Sequence, residues 1–280
     1  MNKFKTFLAG HGCGPRAIVS TVLMCTKQIF DGGILCIAGG YLVSAVQFVM
    51  LVFIWTALDR EGAGLGGMTL NQLMTYTLMA TVFHQELNII SPATSSLWEG
   101  SVIGRFTRPV PVPVSFIAET IGRWWIPNFL FFGLPLLIIS PFLHVNPAPA
   151  DSASGLMAFI SLMLSASLGF ALDLLFAAFA MFLKNGCWAA ASIREAAFSL
   201  LSGEMIPFAL FPWGLDKFFS CLPFGSIAHA PLTIYTGMAA SPFRTIGLQL
   251  IWNVILWITA AMVFKKSKES FLYTLNRSRD

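Results

Sequence analysis

The sequence predicts an all-α membrane protein. It reads as six transmembrane helices, with an interfacial amphipathic helix before the first and a re-entrant helical element between the fifth and sixth. Three observations carry that prediction. Hydrophobic residues make up 56% of the chain and charged residues 11%, against about 25% charged in a typical soluble domain; the mean hydropathy is +0.74. Apolar runs of the length a bilayer crossing needs, about 20 residues, recur through all 280 residues, so residues 1–280 read as a single transmembrane domain. Basic residues, which are retained on the cytoplasmic side during insertion, alternate with those runs. One group holds Lys3, Lys5, Arg16, Lys27, Arg105, Arg108, Lys184, Arg194, Lys265, Lys266, Lys268, Arg277 and Arg279. The intervening loops hold only Arg60, Lys217 and Arg244, and Arg123 falls early in a span. Both termini are therefore expected in the cytoplasm.

The net charge of +4 reports this topology and gives no reason to expect nucleic-acid binding. Of the five cysteines, Cys13, Cys25 and Cys187 map inside, Cys36 falls within a span and Cys221 maps outside. No pair shares an oxidising compartment, so no disulfide is expected. No removable leader is expected either.

Taken in order, residues 15–31 form an amphipathic helix. At 100° per residue Ile18, Val19, Val22, Leu23, Cys25, Ile29 and Phe30 share one face, opposite a narrow stripe of Arg16, Ser20, Lys27 and Asp31. Such a helix lies along the membrane surface. Span 1 runs from about Gly33 to Leu58, span 2 from Thr69 to Ile90, span 3 from Val114 to Leu143 and span 4 from Gly155 to Leu183. Span 5 starts near Trp188 and span 6 covers about Phe243 to Phe264. The segment 99–113 between spans 2 and 3 faces the cytoplasm.

Residues 202–237 are apolar but broken by Gly203, Pro207, Pro212, Gly214, Pro223, Gly225 and Pro231. Counting them as a seventh span would carry the basic tail outside. A re-entrant pair of short helices dipping in from the outer face keeps it inside, and such backbone is tolerated where it is buried in protein or lines a cavity.

Two segments carry a resemblance. The run Trp98-Glu99-Gly100-Ser101-Val102-Ile103-Gly104-Arg105-Phe106-Thr107-Arg108-Pro109 resembles the short coupling segment after the second helix of ABC-2-type permeases. The run Leu201-Ser202-Gly203-Glu204-Met205-Ile206-Pro207, followed by Phe211-Pro212, Leu222-Pro223-Phe224 and Tyr235-Thr236-Gly237, is similar to the stretch between their fifth and sixth helices. The Pro109–Pro113 run is richer in proline than that pattern.

The resemblance implies the membrane subunit of an ATP-driven bacterial exporter in the cytoplasmic (inner) membrane. It would work with two ATPase subunits and a second permease, alike or related; the Phe-rich spans suit a hydrophobic or amphipathic substrate, and equally suit contact with lipid. ATP capture needs a Gly-rich loop ending in Gly-Lys-Ser/Thr, and the sequence has no Gly-Lys dipeptide. ATP and Mg²⁺ would therefore reside on a separate polypeptide, and the chain itself would be no enzyme and bind no cofactor. Gly100, Ile103, Arg105, Phe106 and Arg108 are the residues expected to engage it.

Ionisable residues within spans mark pathways or buried pairs. Glu119 and Arg123, spaced i,i+4 with the acid first, suit an ion pair bracing span 3. Asp173 stands alone in span 4 and needs a partner. Glu204 and Pro207 open the outer re-entrant element, where Glu204 either caps a short helix or helps gate an exit. Glu86 and His84, two residues apart, do not share a helix face, and the scattered histidines form no metal site. An ion-coupled secondary transporter using Asp173 and Glu86 is the alternative reading.

Overall fold

A computed structural model describes residues 15–28, 34–62, 64–99, 101, 103–106, 110–182 and 187–277. The described residues form helices and turns, with no strand among them. The first helix, α1 (Pro15–Lys27), falls within the expected amphipathic segment 15–31, of which Ile29, Phe30 and Asp31 lie outside the described residues. It packs across the helix holding Gly122, where a Cβ would lie 2.4 Å from the Val22 carbonyl oxygen. Only glycine allows that approach. Val19, Leu23 and Met24 remain exposed on α1.

Helix α2 (Ile34–Arg60) is long, apolar and mostly exposed, with Phe48 and Trp55 as its buried contacts. Helix α3 (Leu70–Val82) begins at a capping box: Gln72 N–H donates to Thr69 Oγ1 at 3.2 Å, and Thr69 N–H to Gln72 Oε1 at 3.0 Å. It stops at Phe83, and the short α4 (His84–Leu87) follows. The expected second crossing is thus interrupted where its polar residues begin, because His84 and Asn88 turn to partners on other elements. Helix α5 (Ala93–Trp98) and the single turn α6 (Ile103–Phe106) complete the connection to the next span.

Helix α7 (Val112–Leu143) spans 32 residues. Pro111 stands at its N-cap and Pro113 in its first turn, where a missing N–H costs nothing. Two wide π-turns, Ile121–Trp125 and Phe129–Gly133, lie just before Pro127 and Pro135. Each proline removes one i→i−4 bond, and the widened turn accommodates that loss.

Helix α8 (Ser152–Phe182) is the centre of the bundle: half of its apolar window is buried, against 11% for α2. Helix α9 (Cys187–Leu201) follows. The expected broken stretch then appears as a 3₁₀ turn (Phe208–Leu210) and three short helices, α10 (Leu215–Cys221), α11 (Pro223–Ile227) and α12 (His229–Tyr235). The last helix, α13 (Pro242–Arg277), lies along α8.

Polar side chains fasten α13 to α8. Fully buried Gln249 accepts from Ser161 Oγ at 2.9 Å and donates to Ser165 Oγ at 3.0 Å and to the Ser226 carbonyl, on α11, at 2.7 Å. Trp257 Nε1 donates to Ser167 Oγ at 2.9 Å. Small hydroxyl residues let two apolar helices approach and add directional bonds where lipid supplies no hydrophobic drive.

Four helices are long and apolar enough to cross a membrane: Ala38–Arg60 within α2, Val112–Leu143, Ser152–Ala178 within α8, and Pro242–Phe264 within α13. The elements at the expected second and fifth crossings are shorter, with 13 residues in α3 and 15 in α9.

Candidate functional site: a polar cavity and the base of the long helix

A cavity of about 320 Å³ opens between α2, α3, α4 and α9, inside the otherwise apolar bundle. Ser44 and Gln47 face it from α2, Thr77 and Thr81 from α3, and His84, Asn88, Glu195, Ser199 and Glu204 complete the polar wall. Phe48, Leu51 and Met205 supply apolar surface. The wall thus combines many polar groups with a smaller apolar surface, a mixture that an amphipathic molecule could meet on both sides.

Two networks hold the polar wall. At one end, Glu204 is buried and its Oε1 lies 2.6 Å from His84 Nδ1. The turn that carries it is clamped by Tyr76, whose hydroxyl donates to the Gly203 carbonyl at 2.6 Å. Gly203 has φ +72° with the Phe208 ring packed where a Cβ would stand, so the turn depends on glycine. Glu204 therefore caps no helix; it joins the broken stretch after Leu201 to α4. Pro207, also buried, leads directly into the 3₁₀ turn.

At the other end, Arg194 of α9 is buried and donates to Asn88 Oδ1 at 3.0 Å and to the Ile89 carbonyl. Asn88 Nδ2 donates to Glu195 Oε1 at 2.9 Å. Asp173 accepts from Ser91 Oγ and is itself buried behind this network. The sequence left Asp173 without a partner; the structure supplies Ser91. Asp173 does not line the cavity, whereas Asn88 and Glu195 do. Arg194, grouped by sequence with the cytoplasmic charges, braces α9 against the segment after α4.

The second constellation lies at the start of α7. Arg105 Nη1 stands 2.7 Å from Glu119 Oε2, with the Arg105 guanidinium 4.7 Å from the centre of the Phe116 ring. The expected Glu119–Arg123 pair is not formed. The π-turn that opens at Ile121 disturbs the i,i+4 register on which it depended, and Arg105 of α6 takes the carboxylate. Arg123 lies over Trp124, 5.6 Å from its ring centre. Helix α6 is thereby bolted to the base of a 32-residue apolar helix.

A family model described as ABC-2 family transporter protein matches residues 44–274, from within α2 to near the end of α13. The chain belongs to the ABC-2 transporter family. No curated protein matches it. Members of this family are membrane components of ABC transporters and work in general with ABC ATPase subunits, so the chain is a membrane transport component.

Of the residues expected to engage an ATPase, Arg105 is spent internally on Glu119. Gly100 and Arg108, and the side chains of Ile103 and Phe106, lie outside the described residues. Sequence reasoning missed His84, Asn88 and Glu195 as members of one cavity wall, and Arg194 as the side chain that holds Asn88 in it. The adjacent Arg194-Glu195 dipeptide within an apolar helix was the available signal. No group of three or more metal-ligating side chains occurs among the described residues.

Proposed function

We propose that the chain is the permease subunit of an ATP-driven exporter of a hydrophobic or amphipathic substrate, energised by separate ATPase subunits that carry ATP and Mg²⁺. The observation that carries the reading is the attachment of α6 to α7 through Arg105, Glu119 and Phe116. A short element fixed to the end of a long rigid helix converts a push from the cytoplasm into tilting of that helix. In this reading Gly100, Ile103, Phe106 and Arg108 engage the ATPase, and Arg105 anchors the segment to α7.

In the same reading the polar cavity is the substrate path, with Glu204 and Pro207 at its outer end. The chain crosses a bacterial inner membrane six times with both termini in the cytoplasm. Helices α3–α4 and α9 form the second and fifth crossings, and 202–237 enters from the outside and returns. Two such permeases, identical or related, pair with two ATPases. Gly203, Glu204 and Pro207 are buried within the broken turn, which supports the re-entrant arrangement, since irregular backbone at membrane depth must be enclosed by protein.

The ion-coupled alternative draws on the ionisable residues inside the bundle, including the buried Glu86, whose Oε2 has no hydrogen-bond partner. ABC-2 family membership favours the ATP-driven reading. The two separate in one experiment on cells expressing the chain. Export that stops when the ATPase carries a disabled Gly-Lys-Ser/Thr loop, and persists with a proton uncoupler in ATP-replete cells, is the expected result. The reverse pattern would replace this reading with the ion-coupled one.

A further inference from the structure

A second cavity, of about 400 Å³, lies outside the proposed path, between α4, α5 and the lower part of α7. Gln85, Ile90, Ser95, Glu119, Arg123 and Trp124 are among its lining residues. Its electrostatics are one-sided. Glu119 is neutralised by Arg105 at 2.7 Å, while Arg123 pairs with no carboxylate among the described residues. The pocket therefore carries one uncompensated guanidinium, with the Gln85 amide on the same wall.

Its depth follows from α7. Counting back from Leu143, about 20 residues at 1.5 Å each cover the hydrocarbon thickness of about 30 Å and end at Trp124. Arg123 and Trp124 thus stand together at the inner boundary of the hydrocarbon. Indole rings favour that level, and Trp124 is 46% exposed there. Helix α1 crosses α7 at the adjacent Gly122, placing an amphipathic helix at the same height. Ile90, 56% exposed, offers apolar surface at the rim.

We infer that this pocket binds the phosphate headgroup of an anionic phospholipid from the leaflet bordering residues 99–113. Arg123 holds the phosphate, Gln85 donates to it, and Trp124 and Ile90 contact the first methylenes of the acyl chains. Basic pockets between membrane helices recognise anionic headgroups in this way. One cation at the surface gives about a fivefold preference over a zwitterionic lipid.

The test uses the full-length chain in detergent with equimolar dioleoylphosphatidylglycerol and dioleoylphosphatidylcholine, with bound lipid counted by native mass spectrometry. Wild type is expected to favour the glycerol lipid about fivefold. Arg123→Gln should bring the ratio close to one, and Arg123→Lys should preserve most of it. Gln85→Leu gives a second comparison that leaves the charge in place, and should lower the ratio partially. A wild-type ratio near one, or an undiminished ratio in Arg123→Gln, overturns the inference. Displacement of the lipid by excess inorganic phosphate would make this a free-phosphate site and equally overturn it.

Discussion

The Arg105–Glu119 bridge is where the mechanical argument is most exposed to measurement. At 2.7 Å and an effective dielectric near 20, the Coulomb attraction is about 6 kcal/mol. Desolvation of both groups offsets much of it, and side-chain exposures of 14% and 17% place the pair between surface and core. A net coupling of about 1–3 kcal/mol is expected. Arg105→Ala also strips the cation from the Phe116 ring and leaves Glu119 half-enclosed without a counter-charge. The single variant should therefore lose about 2–3 kcal/mol, somewhat less than the roughly 3–5 kcal/mol of breaking a fully buried pair.

A double-mutant cycle of Arg105→Ala, Glu119→Ala and the pair, followed by thermal unfolding of the purified chain in detergent, isolates the coupling. The double variant should be destabilised by less than the sum of the singles, by about 1–3 kcal/mol. The charge-reversed Arg105→Glu/Glu119→Arg should recover part of the loss. Additivity within about 0.5 kcal/mol would mean that the two side chains do not hold α6 to α7, and the proposed lever would lose its attachment.

Three further outcomes follow from the packing. Gln249→Leu leaves the Ser226 carbonyl and two serine hydroxyls of the α8–α13 seam without their amide partner, and should lower stability by about 1–3 kcal/mol in thermal unfolding. Gly122→Ala drives a methyl into the Val22 carbonyl and should lift α1 from α7 at a cost of about 1–3 kcal/mol. Faster maleimide labelling of the buried Cys25, with the other four cysteines replaced by serine, reads that displacement. Glu204→Gln removes the charge opposite His84 while keeping the shape of the turn; export should fall several-fold with ATPase co-purification unchanged, and unaltered export would take Glu204 out of the path.

The sequence exposed the long apolar elements well because each repeats one physical demand, a continuous apolar surface. The helices α2, α7, α8 and α13 all emerge from hydropathy, and the break after Leu201 is legible from its glycines and prolines. The interruption at Phe83 was not, since no proline or glycine marks it. Its signature is the polar cluster His84, Gln85, Glu86 and Asn88, whose partners lie more than a hundred residues away: Glu204 for His84, and Arg194 and Glu195 for Asn88.

The same distance hid the site. Sequence spacing pairs Glu119 with Arg123 because it sees only the helical register; the bond to Arg105 depends on where α6 folds back and on the π-turn at Ile121. Asp173 was recognisable as a residue in need of a partner, but Ser91 could be found only once α8 was laid against the segment before α5.

The central claim, that this chain is driven by an ATPase gripping α6, is tested most directly by purifying the complex through a tag on this chain and measuring ATP hydrolysis. The account predicts ATPase activity that co-purifies with wild type and disappears from Ile103→Asp/Phe106→Asp, while the variant chain remains in the membrane. Undiminished ATPase co-purification with that variant, or none with wild type, would contradict it.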